Sequence, residues 1–439
     1  MKKIFNACCS LLLMAFFLVS CSQNKPAPLN EVDLLINNED QLTQVIIYDV
    51  FTPPVASRIY VYSSLASYEA IRFAKEGTSS IAEKLNGFGK MPVPEKGKNY
   101  NFSLAATKAF FKVTRNVKVF SIDSLTKYEQ SVYNNYKANL DEATYNNSMA
   151  FGDTVAAVIL ARAKTDGYAI SRGKQKYLGS NEPGKWRPTP PDYLDGVEWC
   201  WNTMKPMVLD SASQFMPNRP PKYDTNRGST FYDMVKEVYD ISKNLTEEQK
   251  LIAKYWDDNP FVIEHAGHMM FGNKKITPGG HWIGITAQVV KQANADAVKS
   301  AQSFALTAIA LYDGFISCWD EKYRSSYVRP GTVINEIIDK NWSTLLQTPP
   351  FPEYTSGHST ITASAATVLT KLYGENFAFE DSSDYHYIGL KRKFNSFQAA
   401  AAEASISRVY GGIHYTLSVN VGNEQGKKVG GLVVKKLLE

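Results

Sequence analysis

Apolar residues return every three or four positions along most of this chain, and that spacing restricts its fold more than any other feature. Between residues 55 and 74, Ile59, Tyr62, Leu65, Tyr68 and Ile71 fall on one face of a helix. Comparable spacing covers roughly 31–50, 103–115, 122–139, 148–166, 228–242, 246–256, 283–318, 358–373, 387–404 and 421–438. Long alternating runs bounded by turn residues, the mark of half-buried strands, are scarce. The expectation is an all-α fold, a large helical bundle. With 439 residues, 44% of them hydrophobic, such a bundle can bury an extensive core without disulfide or metal staples.

The stretch between Ser171 and Asn226 breaks the pattern. Eight of the twenty prolines lie within 183–221, including Pro188, Pro190-Pro191 and Pro220-Pro221, so regular helix is excluded there. Long irregular segments in compact proteins are either functional covers and binding loops or plain insertions. The chain otherwise divides into a helical part, 31–240, carrying the Pro-rich loop 171–226, and a second helical part, 241–439, expected to form one continuous domain with it.

At the start, Lys2 and Lys3 precede an apolar run, Leu11 to Val19, that ends at Ser20-Cys21. The run is shorter than the ~20 apolar residues of a spanning helix and has the layout of a signal peptide, residues 1–21. Leu18-Val19-Ser20-Cys21 resembles a bacterial lipobox. That resemblance implies lipidation of Cys21, a short spacer over 22–30, and a soluble domain tethered in the bacterial cell envelope, at the outer membrane facing the periplasm. Without Lys2 and Lys3, 46 basic residues face 43 acidic ones, a balance that argues against nucleic-acid binding. Cys8 and Cys9 leave with the signal. Cys200 and Cys318 remain, and two cysteines without metal-like spacing are more often separate buried thiols than a bridge.

The residues that carry chemistry lie between Lys322 and His414. Lys322 is followed after six residues by Arg329-Pro330. Ser356-Gly357-His358 stands directly before a helical pattern that Gly374 ends, and Ser407-Arg408 is followed after five residues by His414. A Ser-Gly-His run at a helix N-terminus offers free backbone N–H groups and the positive end of the dipole, and Gly357 allows close approach of an anion. Lys322, Arg329 and Arg408 supply three cations for a phosphate-like dianion, the arginines as forks. Two histidines complete the set: one can attack or bind the central atom, the other can move protons.

These three segments resemble the signature of the superfamily that joins type-2 phosphatidic acid phosphatases, bacterial class A acid phosphatases and vanadium-dependent haloperoxidases. The resemblance implies a large helical bundle. It makes His414 the ligand to vanadium when vanadate is bound, or the nucleophile that becomes phosphohistidine. It makes His358 the acid/base, and Lys322, Arg329, Ser356, Gly357 and Arg408 the oxyanion cradle. Thr355 stands where many members have proline.

Two chemistries fit that cradle, because vanadate copies the shape and charge of phosphate. Trp319 and Phe351 stand where chloride-oxidising vanadium enzymes place aromatic residues beside the halide. Trp256-Asp257-Asp258-Asn259-Pro260 and Pro278-Gly279-Gly280-His281-Trp282 are similar to segments of the large bacterial haloperoxidase relatives. The 48 residues between His358 and Ser407 instead resemble the shorter phosphatase spacing. The resemblance therefore implies a peroxidase that takes hydrogen peroxide and a halide with vanadate as cofactor. The alternative is a phosphatase acting on a phosphate ester without a cofactor, and a third reading is an envelope lipoprotein that kept the fold without the chemistry. Aspartates 257 and 258 are candidates to orient a cradle arginine. Glu264-His265-x-x-His268 is a weak metal pattern that lacks a third ligand; His281 and His386 have no local partners in sequence. Gly422, Gly426 and Gly430 predict close packing of the last helix, with a homodimer seam as one use of it.

Overall fold

The computed structural model describes residues 25–117, 119–260, 262–266, 269–272 and 274–439, with 263–266 and 269–272 described by their backbone. The signal segment and Cys21 lie outside the described residues, as does His268; of Glu264 and His265 only the backbone is described. Most of the described chain is helical, as the periodicity predicts. Helices α1 (Glu31–Tyr48), α2 (Pro53–Ile71), α3 (Phe102–Asn116), α4 (Ile122–Asn139), α5 (Glu142–Ala163) and the short α6 (Tyr168–Arg172) precede the Pro-rich stretch. After it come α7 (Thr230–Lys243), α8 (Glu247–Tyr255), α9 (Pro278–Gln292), α10 (Ala297–Ser325), α11 (Pro330–Ile337), α12 (Gly357–Tyr373), α13 (Tyr385–Ile388), α14 (Phe397–Tyr410) and α15 (Thr416–Leu437). None of the described helices is long and apolar enough to cross a membrane.

The boundaries follow local chemistry. The pattern over 283–318 is two helices, because Asn294 takes a left-handed conformation after α9 and Asp296 caps α10 through the Lys299 amide at 2.7 Å. Two hairpins of short strands were not expected. They are β1 (Ile263–Ala266) with β2 (Met269–Gly272), and β3 (Phe379–Asp381) with β4 (Arg392–Phe394), both antiparallel. The second occupies part of the expected helix 387–404, which starts only at Phe397, where Ser396 caps it.

Helix α10 forms the axis of the bundle: 25 of its 29 residues are buried, and it packs against α2, α9, α12 and α15. Helix α2 is buried on every side, which is how an apolar-all-round helix behaves inside a large core. One hydrophobic cluster runs through residues of both halves of the chain. Helix α15 lies along α12, and the three glycines make that possible: a Cβ would stand 2.9 Å from Ser356 O at Gly422, 2.1 Å from Thr360 O at Gly426 and 2.6 Å from Ser364 O at Gly430. The glycine row is therefore spent inside the chain, on the helix that carries His358.

The Pro-rich stretch is irregular apart from one turn at Trp201–Thr203. Buried Asp313 on α10 accepts the amides of Met207, Val208 and Leu209 at 2.7, 2.7 and 2.9 Å and so pins the loop to the axis. Val197 ties it to the site: its carbonyl accepts from Trp319 Nε1 at 3.1 Å, and its amide donates to Pro350 O at 3.0 Å. None of its residues lines the cavity described below; the loop meets the site through Trp319. Cys200 and Cys318 are free, buried thiols.

Candidate active site

Four elements bring the cradle together. Lys322 lies in the last turn of α10, Arg329 caps α11, Ser356 caps α12, and Arg408 lies in the last turn of α14, six residues before His414. Arg329 is fully buried and Arg408 nearly so. Ser356 caps as expected: its hydroxyl oxygen accepts from the Ser359 amide at 3.3 Å and from the Ser359 hydroxyl at 2.9 Å, leaving its own proton to donate. The amides of Gly357 and His358 have no intrahelical acceptor. At Gly357 a Cβ would come within 3.5 Å of the Trp319 ring and 3.8 Å of Lys322 Cε.

The cations are held by neutral oxygens. Lys322 Nζ donates to the carbonyls of Pro352, Glu353 and Thr355 at 3.0, 3.1 and 2.5 Å. Arg329 donates through Nε to Phe351 O at 3.0 Å and through Nη1 to Ile413 O at 2.7 Å. Among the described residues neither is in a salt bridge. Burial pushes Lys322 down to about 7 and Arg329 down to about 10. Arg408 donates to the carbonyls of Trp256 and Asp257, and Asp257 Oδ1 lies 3.9 Å from its Nη2. Asp257 is thus the aspartate beside the cradle arginine, itself paired with Lys275. Two guanidinium nitrogens, Arg329 Nη2 and Arg408 Nε, are buried without a hydrogen-bond partner among the described residues. Buried donors and cations left this way are costly unless an anion meets them.

Glu353, which no sequence pattern singled out, organises the other side. It is fully buried and accepts from His414 Nδ1 at 2.7 Å, from the Tyr415 amide at 3.1 Å and from the Ser418 hydroxyl at 2.6 Å. Burial raises its carboxyl to about 7, and Ser418 and Arg329 oppose that rise. With Nδ1–H donated to Glu353, His414 Nε2 keeps its lone pair and accepts from Arg329 Nη1 at 3.1 Å. His358 Nε2 accepts from Arg408 Nη1 at 2.7 Å and lies 3.9 Å from Asp258 Oδ2. Both imidazoles are therefore neutral. Burial, then the neighbouring cations, holds each well below the usual histidine range.

A small cavity opens onto this cluster, lined by His358, His414, Gly357, Arg408, Trp319 and Phe351 among others. His358 is its accessible histidine, with 16% of its side chain exposed against 3% for His414. Trp319 and Phe351 form an aromatic wall, their ring centroids 5.0 Å apart, and Lys322 Nζ lies 5.0 Å from the Phe351 centroid. Every cradle residue expected from the sequence is thus in one place. Lys322, Arg329 and Ser356 stand behind the cavity surface and not on it.

A structure described as the first bacterial vanadium-dependent iodoperoxidase shares 42% sequence identity with this chain, covering 94% of it and 98% of the other chain, with a TM-score of 0.88. The chain belongs to the vanadium haloperoxidase superfamily. A family profile described as the VCPO second helical-bundle domain matches residues 302–439, the part that holds the cradle. An apo-type bacterial vanadium-dependent chloroperoxidase shares the fold at 19% identity, over 88% of this chain and 94% of that one, with a TM-score of 0.69. No curated protein matches the chain. The residues fit the group that names the superfamily: guanidinium nitrogens without a partner among the described residues, and a neutral histidine whose Nε2 faces the Arg329 guanidinium, suit a tetrahedral oxyanion.

Proposed function

We propose that this protein is a vanadium-dependent haloperoxidase that oxidises halide, iodide foremost, with hydrogen peroxide. The observation that carries the reading is the pair of buried, unpartnered guanidinium nitrogens beside a histidine whose Nε2 lone pair is set by Glu353. His414 would hold vanadate through Nε2 in place of the Arg329 Nη1 contact, with Arg329, Arg408 and the Gly357 amide around its oxygens; Lys322, whose three N–H groups go to backbone carbonyls, and Ser356 would support the site from beside it. Vanadate, when bound, supplies the activation of peroxide toward two-electron oxidation of a halide. His358, neutral and exposed to the cavity, would accept a proton at Nε2 and give it back there, acting as the site's acid/base. Trp319 and Phe351 exclude water where the halide enters and leave it weakly solvated. Iodide is favoured because the 42% identical relative is described as an iodoperoxidase.

Purified protein lacking residues 1–21, loaded with vanadate, is expected to turn over iodide with peroxide and to lose that activity in His414→Ala. Phosphate-ester hydrolysis that vanadate inhibits, with no iodide or bromide oxidation, would establish the phosphatase reading instead.

A further inference from the structure

His281 occupies a position the proposed chemistry does not use. It lies in the first turns of α9 with its ring fully buried. Nδ1 is 3.0 and 3.1 Å from the two carboxylate oxygens of Asp258, and Nε2 is 2.8 Å from Asp381 Oδ2. An imidazole with carboxylates at both nitrogens satisfies them only by donating from both, which requires the imidazolium. Burial alone would depress the ring's proton affinity; Asp258 and Asp381 overcome that and hold it well above the usual histidine range. Trp256 stacks on the ring at 4.5 Å with an interplanar angle of 19°, and Tyr255 meets it edge-on at 5.5 Å. The cation therefore has one fixed orientation.

Asp258 is the link to the cavity. It takes a left-handed backbone conformation, φ 43°, which a non-glycine residue holds only where its surroundings fix it. One oxygen of its carboxylate lies 3.9 Å from His358 Nε2. Asp381 is anchored in turn by the Ser383 amide at 3.0 Å.

We propose that His281 is a positioning residue: a permanent buried cation that fixes the Asp258 carboxylate beside His358, so that the acid/base histidine keeps its place as protons pass through it. The inference rests on the haloperoxidase reading above and adds a residue to it.

The test uses the vanadate-loaded protein. His281→Gln is expected to lower kcat for iodide oxidation about 10- to 100-fold, the range typical of residues that orient a site's working groups. The KM for iodide and the affinity for inorganic vanadate, measured by equilibrium dialysis, should change less than about threefold. The double variant His281→Gln/Asp258→Asn should be no slower than Asp258→Asn alone, because both changes break one linkage. Asp381→Asn, which keeps a carbonyl oxygen for Nε2, serves where His281→Gln does not fold, and is expected to give a smaller kcat loss of the same pattern. Wild-type kcat in a folded variant overturns the inference, as does vanadate affinity that falls in step with kcat. Wild-type protein that binds vanadate but oxidises no halide overturns the reading beneath it, and the inference with it.

Discussion

Glu353→Gln separates charge from shape at the histidine proposed to hold vanadate. The wild-type carboxylate accepts three hydrogen bonds, from His414 Nδ1 and the Tyr415 amide on Oε1 and from Ser418 on Oε2. Glutamine fits the same space: its carbonyl oxygen takes the first two, and its amide donates to Ser418, whose hydroxyl turns to accept. What disappears is the negative charge opposite Nδ1–H. A hydrogen bond to an ionised group contributes about 1.5–3 kcal/mol against about 0.5–1.5 for a neutral one. The loss is therefore about 1–1.5 kcal/mol, or about 5- to 12-fold in vanadate affinity. Equilibrium dialysis of vanadate against the folded variant, above pH 7, measures it. The difference should shrink as pH falls, because burial raises Glu353 to about 7 and below that it takes up a proton and resembles glutamine. Equal affinity at high pH would refute the argument that Glu353 tunes His414 by charge.

Two further outcomes follow from buried groups away from the cradle. Burial raises Glu39 from 4.5 to about 8, so its folded form binds a proton more tightly than the unfolded chain does, and its contribution to stability fades as pH rises from 4.5 through 8. Glu39→Gln removes that slope, worth about 3 kcal/mol between pH 4.5 and 7 by linkage; denaturation at both pH values reads it, and parallel curves for the two proteins would contradict it. Gly426→Ala puts a methyl 2.1 Å from Thr360 O and must part α15 from α12, at about 1–3 kcal/mol. Gly431→Ala on the same helix meets nothing within 4 Å and should be neutral or slightly stabilising. A Gly426→Ala protein as stable as the wild type would show that the helices adjust.

How much of this was legible beforehand divides along a physical line. Cations and histidines at set spacings announce an oxyanion because each motif is local: Ser356 caps the helix that follows it, and Arg408 and His414 sit one turn and a short loop apart. The helices were legible for the same reason, since periodicity is a property of neighbours in sequence. Glu353 and Asp381, and the pairing of Asp258 with His281, were hidden because they depend on partners 23 to 100 residues away, His414 for Glu353 and His281 for both aspartates. A carboxylate in a Pro-rich loop reads as solvated until packing removes its water.

The sequence by itself determined the all-helical class, the place of the proline-rich break and the roster of cradle residues, because helix periodicity, proline geometry and motif spacing act over a few positions. Tertiary structure decided the rest: that the glycine row lets α15 lie on α12, that the Pro-rich loop is pinned to α10 through Asp313, and that Lys322 gives its N–H groups to three backbone carbonyls. It also decided which nitrogens are left without partners and which histidines stay neutral. Burial is the reason, since the proton affinity of a side chain and the cost of an unpaired donor depend on how much water the surrounding helices exclude, and that is set only when distant segments meet.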